Sequence, residues 1–107
     1  MSSKNQKEVQ ELQILEQGLQ NILIQKQTFQ AQMIEIENAL KELEHSTGDC
    51  YKIVGNIMIK SDKSTLIKDL NGKKEIIELR IKTLEKQESK TKEQFQEKQK
   101  EAFKNIK

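Results

Sequence analysis

Tyr51-Lys52-Ile53-Val54-Gly55-Asn56-Ile57-Met58-Ile59-Lys60 is the stretch that decides the fold. Two runs rich in β-branched residues flank a Gly-Asn pair, the pattern of a β-hairpin closed by a two-residue turn in which Gly55 takes positive φ. Pairing across that turn puts Tyr51, Ile53, Met58 and Lys60 on one face and Lys52, Val54, Ile57 and Ile59 on the other. Both faces are largely apolar. A lone two-stranded ribbon is marginal in water and leaves two edges open. The pattern therefore predicts that this element pairs with the same element from other chains, most simply in a closed barrel.

On either side of the hairpin the period changes. Upstream, Leu12, Leu15, Leu19, Ile22, Phe29, Met33, Ile36, Leu40 and Leu43 recur at alternating spacings of three and four, interrupted by Lys26. Downstream, Ile67, Leu70, Ile77, Ile81 and Leu84 keep the same rhythm, interrupted by Lys74. A 3.5-residue repeat sustained this long is a coiled-coil seam. The expected organisation is a single domain over 1–107, with helices at 4–44 and 63–105 around a hairpin at 51–60. Gly48 reads as the left-handed terminator of the first helix and Asp62 as the N-cap of the second. The fold class is mainly α, a long antiparallel two-helix coiled coil with a short β-hairpin connector that assembles into an oligomeric β-barrel.

A short connector favours antiparallel pairing. One register sets Leu43 against Ile67, Leu40 against Leu70, Met33 against Ile77 and Phe29 against Ile81. It also sets Lys26 against Leu84 and Ile36 against Lys74, where a lysine stem can cover its apolar neighbour. Residues 1–44 hold seven acids and four lysines, whereas 66–107 hold twelve basic residues and eight acids, a balance that favours unlike helices pairing. Past Leu84 the register places Ile22 opposite Glu88, Leu19 opposite Thr91 and Leu12 opposite Lys98. The expectation is that the chain ends are loosely paired and fringed with apolar groups that the partner helix does not cover.

Composition narrows the function. The 107 residues are 34% charged and 4% aromatic, with no Pro or Trp, a profile of solvated helices rather than a packed enzyme core. The net charge of +2 with interspersed acids, and the lack of aromatic interleaving, argue against gripping nucleic acid. No apolar stretch approaches the ~18 residues of a membrane span, and the start lacks the apolar region of a signal peptide. One Cys and one His make no ligand set for a metal, and no phosphate loop, carboxylate pair or nucleophile triad is visible, so neither cofactor nor catalysis is expected. A single cysteine is consistent with a reducing cytoplasm. Two readings fit a helix pair of this kind, a holdase chaperone subunit and a structural coiled-coil tether. The midpoint hairpin and the uncovered apolar ends favour the holdase.

The chain resembles the β-type subunits of the prefoldin family along nearly its whole length. The resemblance is carried by Tyr51-Lys52-x-x-Gly55-Asn56-Ile57-Met58-Ile59, by the Lys60–Leu70 lead into the second helix, and by Gln25-Lys26-Gln27-Thr28. A single hairpin per chain is similar to the β-type, since α-type subunits carry two. The resemblance implies an α2β4 hexamer with an α-type prefoldin subunit, whose coiled coils hold non-native client proteins and pass them to a group II chaperonin without ATP. Transferred by position, it assigns oligomerisation to Tyr51, Ile53, Val54, Gly55, Ile57, Met58 and Ile59. It assigns client binding to the apolar groups near both termini, Val9, Leu12, Leu15, Leu19, Phe95, Ala102, Phe103 and Ile106.

Overall fold

The computed structural model describes residues Ser3–Asn105, and in chain order these form α1 (Ser3–His45), β1 (Cys50–Val54), β2 (Ile57–Ser61) and α2 (Lys63–Asn105). The strands form one two-stranded antiparallel sheet. Its ladder pairs Cys50 with Ser61, Tyr51 with Lys60, Lys52 with Ile59, Ile53 with Met58 and Val54 with Ile57. That register leaves Gly55 and Asn56 as the two turn residues. Gly55 has φ 61°, while Asn56 stays at negative φ. Positive φ at the first central residue alone is the type II′ pattern, whose twist matches that of the flanking strands.

The chain divides into two compact units, Phe29–Arg80 and Met1–Thr28 with Ile81–Lys107. In the first, which contains the hairpin, Phe29, Met33, Ile36, Leu40 and Leu43 of α1 are half-buried, as are Ile67, Leu70 and Lys74 of α2, and Ile77 is buried. These are the positions that the 3.5-residue repeat selects. The guanidinium of Arg80 lies over the Phe29 ring at 5.6 Å, one residue from the expected facing position Ile81. Such a contact contributes about 0.5–1 kcal/mol at an exposed site.

The junction between α1 and the hairpin differs from the expected glycine stop. Gly48 does not take positive φ; among the described residues only Gly55 does. Instead the Ser46 N–H donates to the Leu43 carbonyl at 3.2 Å, tightening the last turn. Lys63 at the start of α2 donates from Nζ to the carbonyls of Glu44 (3.3 Å) and Ser46 (3.1 Å). The carbonyls left over at a helix C-terminus need donors, and an ammonium both supplies them and complements the helix dipole. A left-handed glycine is then unnecessary. Asp62 sits where an N-cap belongs, its carbonyl accepting the Leu66 N–H at 3.0 Å. Cys50 is buried in this junction, with its thiol near Ser46 Oγ at 3.8 Å and donating to the Gly48 carbonyl at 3.9 Å.

In the second unit, made of the two chain termini, Leu12, Leu15, Leu19, Ile22 and Lys26 of α1 and Ile81, Glu88, Thr91, Phe95, Lys98 and Ala102 of α2 are half-buried, and Glu8 and Leu84 are buried. The seam therefore does not lapse after Leu84. Helical pairing continues, and the apolar groups of α1 expected to lie uncovered are half-buried, as are Glu88, Thr91 and Lys98 of α2. The charged heads find partners. Lys26 Nζ meets Glu88 Oε1 at 3.4 Å, and Lys98 Nζ meets Glu11 Oε2 at 2.9 Å and Glu101 Oε2 at 3.5 Å.

Candidate functional site

Among the described residues, the hairpin gathers six of the fourteen large apolar side chains that the chain leaves exposed. Tyr51, Ile53 and Met58 stand on one face and Val54, Ile57 and Ile59 on the other, as the ladder register requires. Between 48% and 70% of the surface of each of these six is exposed, with Ile53 at the upper end. Monomeric soluble proteins rarely show water a contiguous apolar patch of this kind, and one that is rimmed by polar groups marks an interaction site. Lys52 and Lys60 supply that rim, and Lys60 pairs with Asp49 at 3.5 Å. On the Tyr51 face the strand borders a groove of about 470 Å³ whose apolar wall is Ala39, Leu43, Leu66 and Leu70.

The terminal unit places the expected client-binding residues in two environments. Leu12, Leu15, Leu19, Phe95 and Ala102 are half-buried along the seam. Val9 and Phe103 are exposed, the latter at 70%. Ile106 lies outside the described residues. The strongest apolar exposure in this unit besides Phe103 falls on Ile14, Leu23 and Ile24, positions the two-position seam reading passed over. The signal was available: completing the heptad around the whole helix puts these three off the seam, where an apolar side chain has no partner within the chain. Ile14 and Leu15 line a groove of about 460 Å³ edged by Glu11, Gln94, Glu97, Lys98 and Glu101.

The charges of that groove are coupled. The hydrogen bond from Lys98, followed by burial opposing it and by the charges of Lys98 and Lys7, leaves the Glu11 carboxyl below its ordinary pKa. The same hydrogen bond, with the charges of Glu11 and Glu101, raises Lys98. What both surfaces offer is exposed apolar area.

The fold and these surfaces define a class, the hairpin-linked antiparallel coiled-coil subunit. The family described as prefoldin subunit matches residues 6–107, and the chain belongs to it. Prefoldin subunits are chaperones rather than enzymes. The chain is 44% identical over 93 residues to the prefoldin subunit beta of Archaeoglobus fulgidus, covering 85% of this chain and 80% of that protein. It is 40% identical over 94 residues to the prefoldin subunit beta of Saccharolobus islandicus, covering 86% of this chain and 75% of the relative. Its structure is similar to the crystal structure of the prefoldin beta subunit from Thermococcus strain KS-1, with a TM-score of 0.90 at 30% identity over 99% of this chain and 95% of that one. Among the described residues no helix is long and apolar enough to cross a membrane.

Proposed function

We propose that this chain is a β-type subunit of an ATP-independent holdase and works as a single prefoldin-like domain over residues 1–107. In this reading its hairpin joins those of other subunits in a barrel, within an α2β4 hexamer containing an α-type prefoldin subunit. The terminal unit captures non-native proteins and hands them to a group II chaperonin in the cytoplasm, with no cofactor and no nucleic acid. The observation that carries the reading is the hairpin itself. Six large apolar side chains on two faces, all exposed in the isolated chain, require cover from other polypeptide. Tyr51, Ile53, Val54, Ile57, Met58 and Ile59 would supply the assembly surface, with Gly55 shaping the turn. Val9, Leu12, Leu15, Leu19, Phe95, Ala102, Phe103 and Ile106 would supply client contacts, weak singly and multiplied by several arms.

The test has two parts. Mass measurement of the purified chain, alone and mixed with an α-type prefoldin subunit, should show a hexamer in the mixture. Deleting residues 1–11 and 99–107 should leave that assembly intact and abolish suppression of aggregation of a denatured model protein. Equal protection by the truncated assembly would remove residues 1–11 and 99–107 from client binding. A tether, by contrast, would protect nothing in either form.

A further inference from the structure

The hairpin meets the helix pair through two links of unequal length, residues 46–49 after α1 and Asp62 alone before α2. Outside the helices and the ladder, the longer link has one backbone hydrogen bond among the described residues, from the Ser46 N–H to the Leu43 carbonyl at 3.2 Å. Such a link does not by itself hold a strand pair in place. What ties it down arrives from α2. Half-buried Lys63, the first residue of that helix, donates from Nζ to the Glu44 carbonyl at 3.3 Å and to the Ser46 carbonyl at 3.1 Å. One side chain thus joins the end of α1, the start of the long link and the start of α2. At the open end of the ladder Cys50 pairs with Ser61 and is 9% exposed, its thiol 3.8 Å from Ser46 Oγ and 3.9 Å from the Gly48 carbonyl. Ser46 belongs to both contacts, its carbonyl held by Lys63 and its hydroxyl against the Cys50 thiol.

From this we infer that Lys63 is a latch, a positioning residue that holds the hairpin in one orientation on the helix pair and so prepares it for assembly. An ammonium on two carbonyls makes charge-assisted hydrogen bonds, which outweigh a surface ion pair such as the exposed Lys60–Asp49 contact. Without the latch, the hairpin turns on 46–49 and Asp62 and samples many orientations, of which assembly accepts one. The apparent dissociation constant then rises by the inverse of the fraction of chains in that orientation. Ordering that a single chain completes beforehand does not have to be supplied at the moment of docking. The consequence for assembly rests on the proposed function, whereas the latch itself is a property of the single chain.

Cys50 is the only cysteine in the sequence, so its reactivity reports on the junction. In the full-length chain, Lys63→Met keeps an apolar stem and removes the donors. Labelling of Cys50 by dithionitrobenzoate should then quicken roughly tenfold or more, as losing two charge-assisted hydrogen bonds implies. Helix content by circular dichroism should stay as it was. Lys63→Arg, whose guanidinium can still donate to two carbonyls, should return the rate towards that of the parent. Lys68→Met, which takes the same charge from an exposed position further along α2, should leave the rate alone. Mixed with an α-type prefoldin subunit, Lys63→Met should need a several-fold higher concentration to form the complex, and Lys63→Arg should not. Equal thiol rates in the parent and Lys63→Met would overturn the inference. So would arginine and methionine variants that behave alike, or assembly at the parent's concentration despite a released thiol. A parent chain that forms no complex with the α-type subunit would overturn the proposed function instead, and the thiol rates would still decide the latch.

Discussion

The unit of residues 29–80 and the unit of the two termini share a helix pair and a heptad, yet they meet water in opposite ways. Beside the hairpin the seam is apolar but for Lys74, and six of the nine exposed large apolar side chains of that unit are gathered on the strand pair from Tyr51 to Ile59, the other three being Ile34, Ile76 and Leu79. In the terminal unit the seam itself is mixed, with Lys26, Glu88, Thr91 and Lys98 among its leucines, and the exposed apolar groups are scattered over Val9, Ile14, Leu23, Ile24 and Phe103. A concentrated two-faced patch suits a permanent interface, because it buries much area in one geometry. A dispersed fringe over an ion-paired seam suits many weak and changeable contacts. Neither unit has a side chain wholly removed from water among the described residues.

The largest effect should come from breaking the concentrated patch. Ile53→Asp/Ile57→Asp places charges on both hairpin faces, at a cost of several kcal/mol to any dry interface. Light scattering should report smaller species while helix content by circular dichroism is largely retained. A full-size oligomer would mean the hairpin is not the assembly surface.

Next in size are paired truncations that ask whether the two units are separate. Ile77→Ala and Leu84→Ala remove the two most buried seam aliphatics, 9% and 6% exposed, one in each unit. Each should cost about 2 kcal/mol, the low end for such changes, because a seam two helices thick can relax or admit water. Hydrogen exchange should show protection lost mainly in the unit that carries the substitution. If Leu84→Ala strips residues 29–80 as thoroughly as its own surroundings, the two units are one cooperative block.

A smaller effect probes the turn. Gly55→Ala meets no steric neighbour, since a β-carbon there would have nothing within 4 Å. Its cost is that of placing an L-residue at φ 61°, roughly 1–2 kcal/mol. The melting temperature of the assembly should fall modestly, with no change in client affinity per assembled complex.

The smallest effect concerns the terminal charges. Glu11 is held below its usual pKa by Lys98, so its contribution is present above the ordinary glutamate range, about 4, and is lost as pH falls through its lowered value. Lys98 is raised by Glu11, so its contribution holds below the ordinary lysine range and is lost as pH rises through its raised value. Exchange of residues 8–28 should therefore quicken slightly at either extreme and be slowest between them. Glu11→Gln should flatten the acid limb of that profile.

Much of this was written in local pattern. A heptad constrains which residues face a partner helix whatever that partner is, and every seam position from Leu12 to Leu43 and from Ile67 to Leu84 is at least partly buried. Alternation around Gly55-Asn56 set the hairpin faces for the same reason, since the period of a strand is two. The stop of α1 was misread because its cap comes from Lys63, seventeen to nineteen residues away from the carbonyls it serves, and no local motif announces a donor that arrives through space. The terminal seam was misread because hydropathy counts Glu88 and Lys98 as polar. In place, each is half-buried and gives its charge to a partner on the other helix.

By itself, then, the sequence determined two heptad helices, the residues on their seams and a two-faced hairpin between them, because periodicity and turn chemistry act between near neighbours. Tertiary structure alone decided how α1 ends, that Cys50 is enclosed at the junction, and that Lys26 pairs with Glu88 and Glu11 with Lys98 across the terminal unit. These depend on which side chains distant in the chain come within reach of one another, and an ion pair, unlike an apolar stripe, has no period to read.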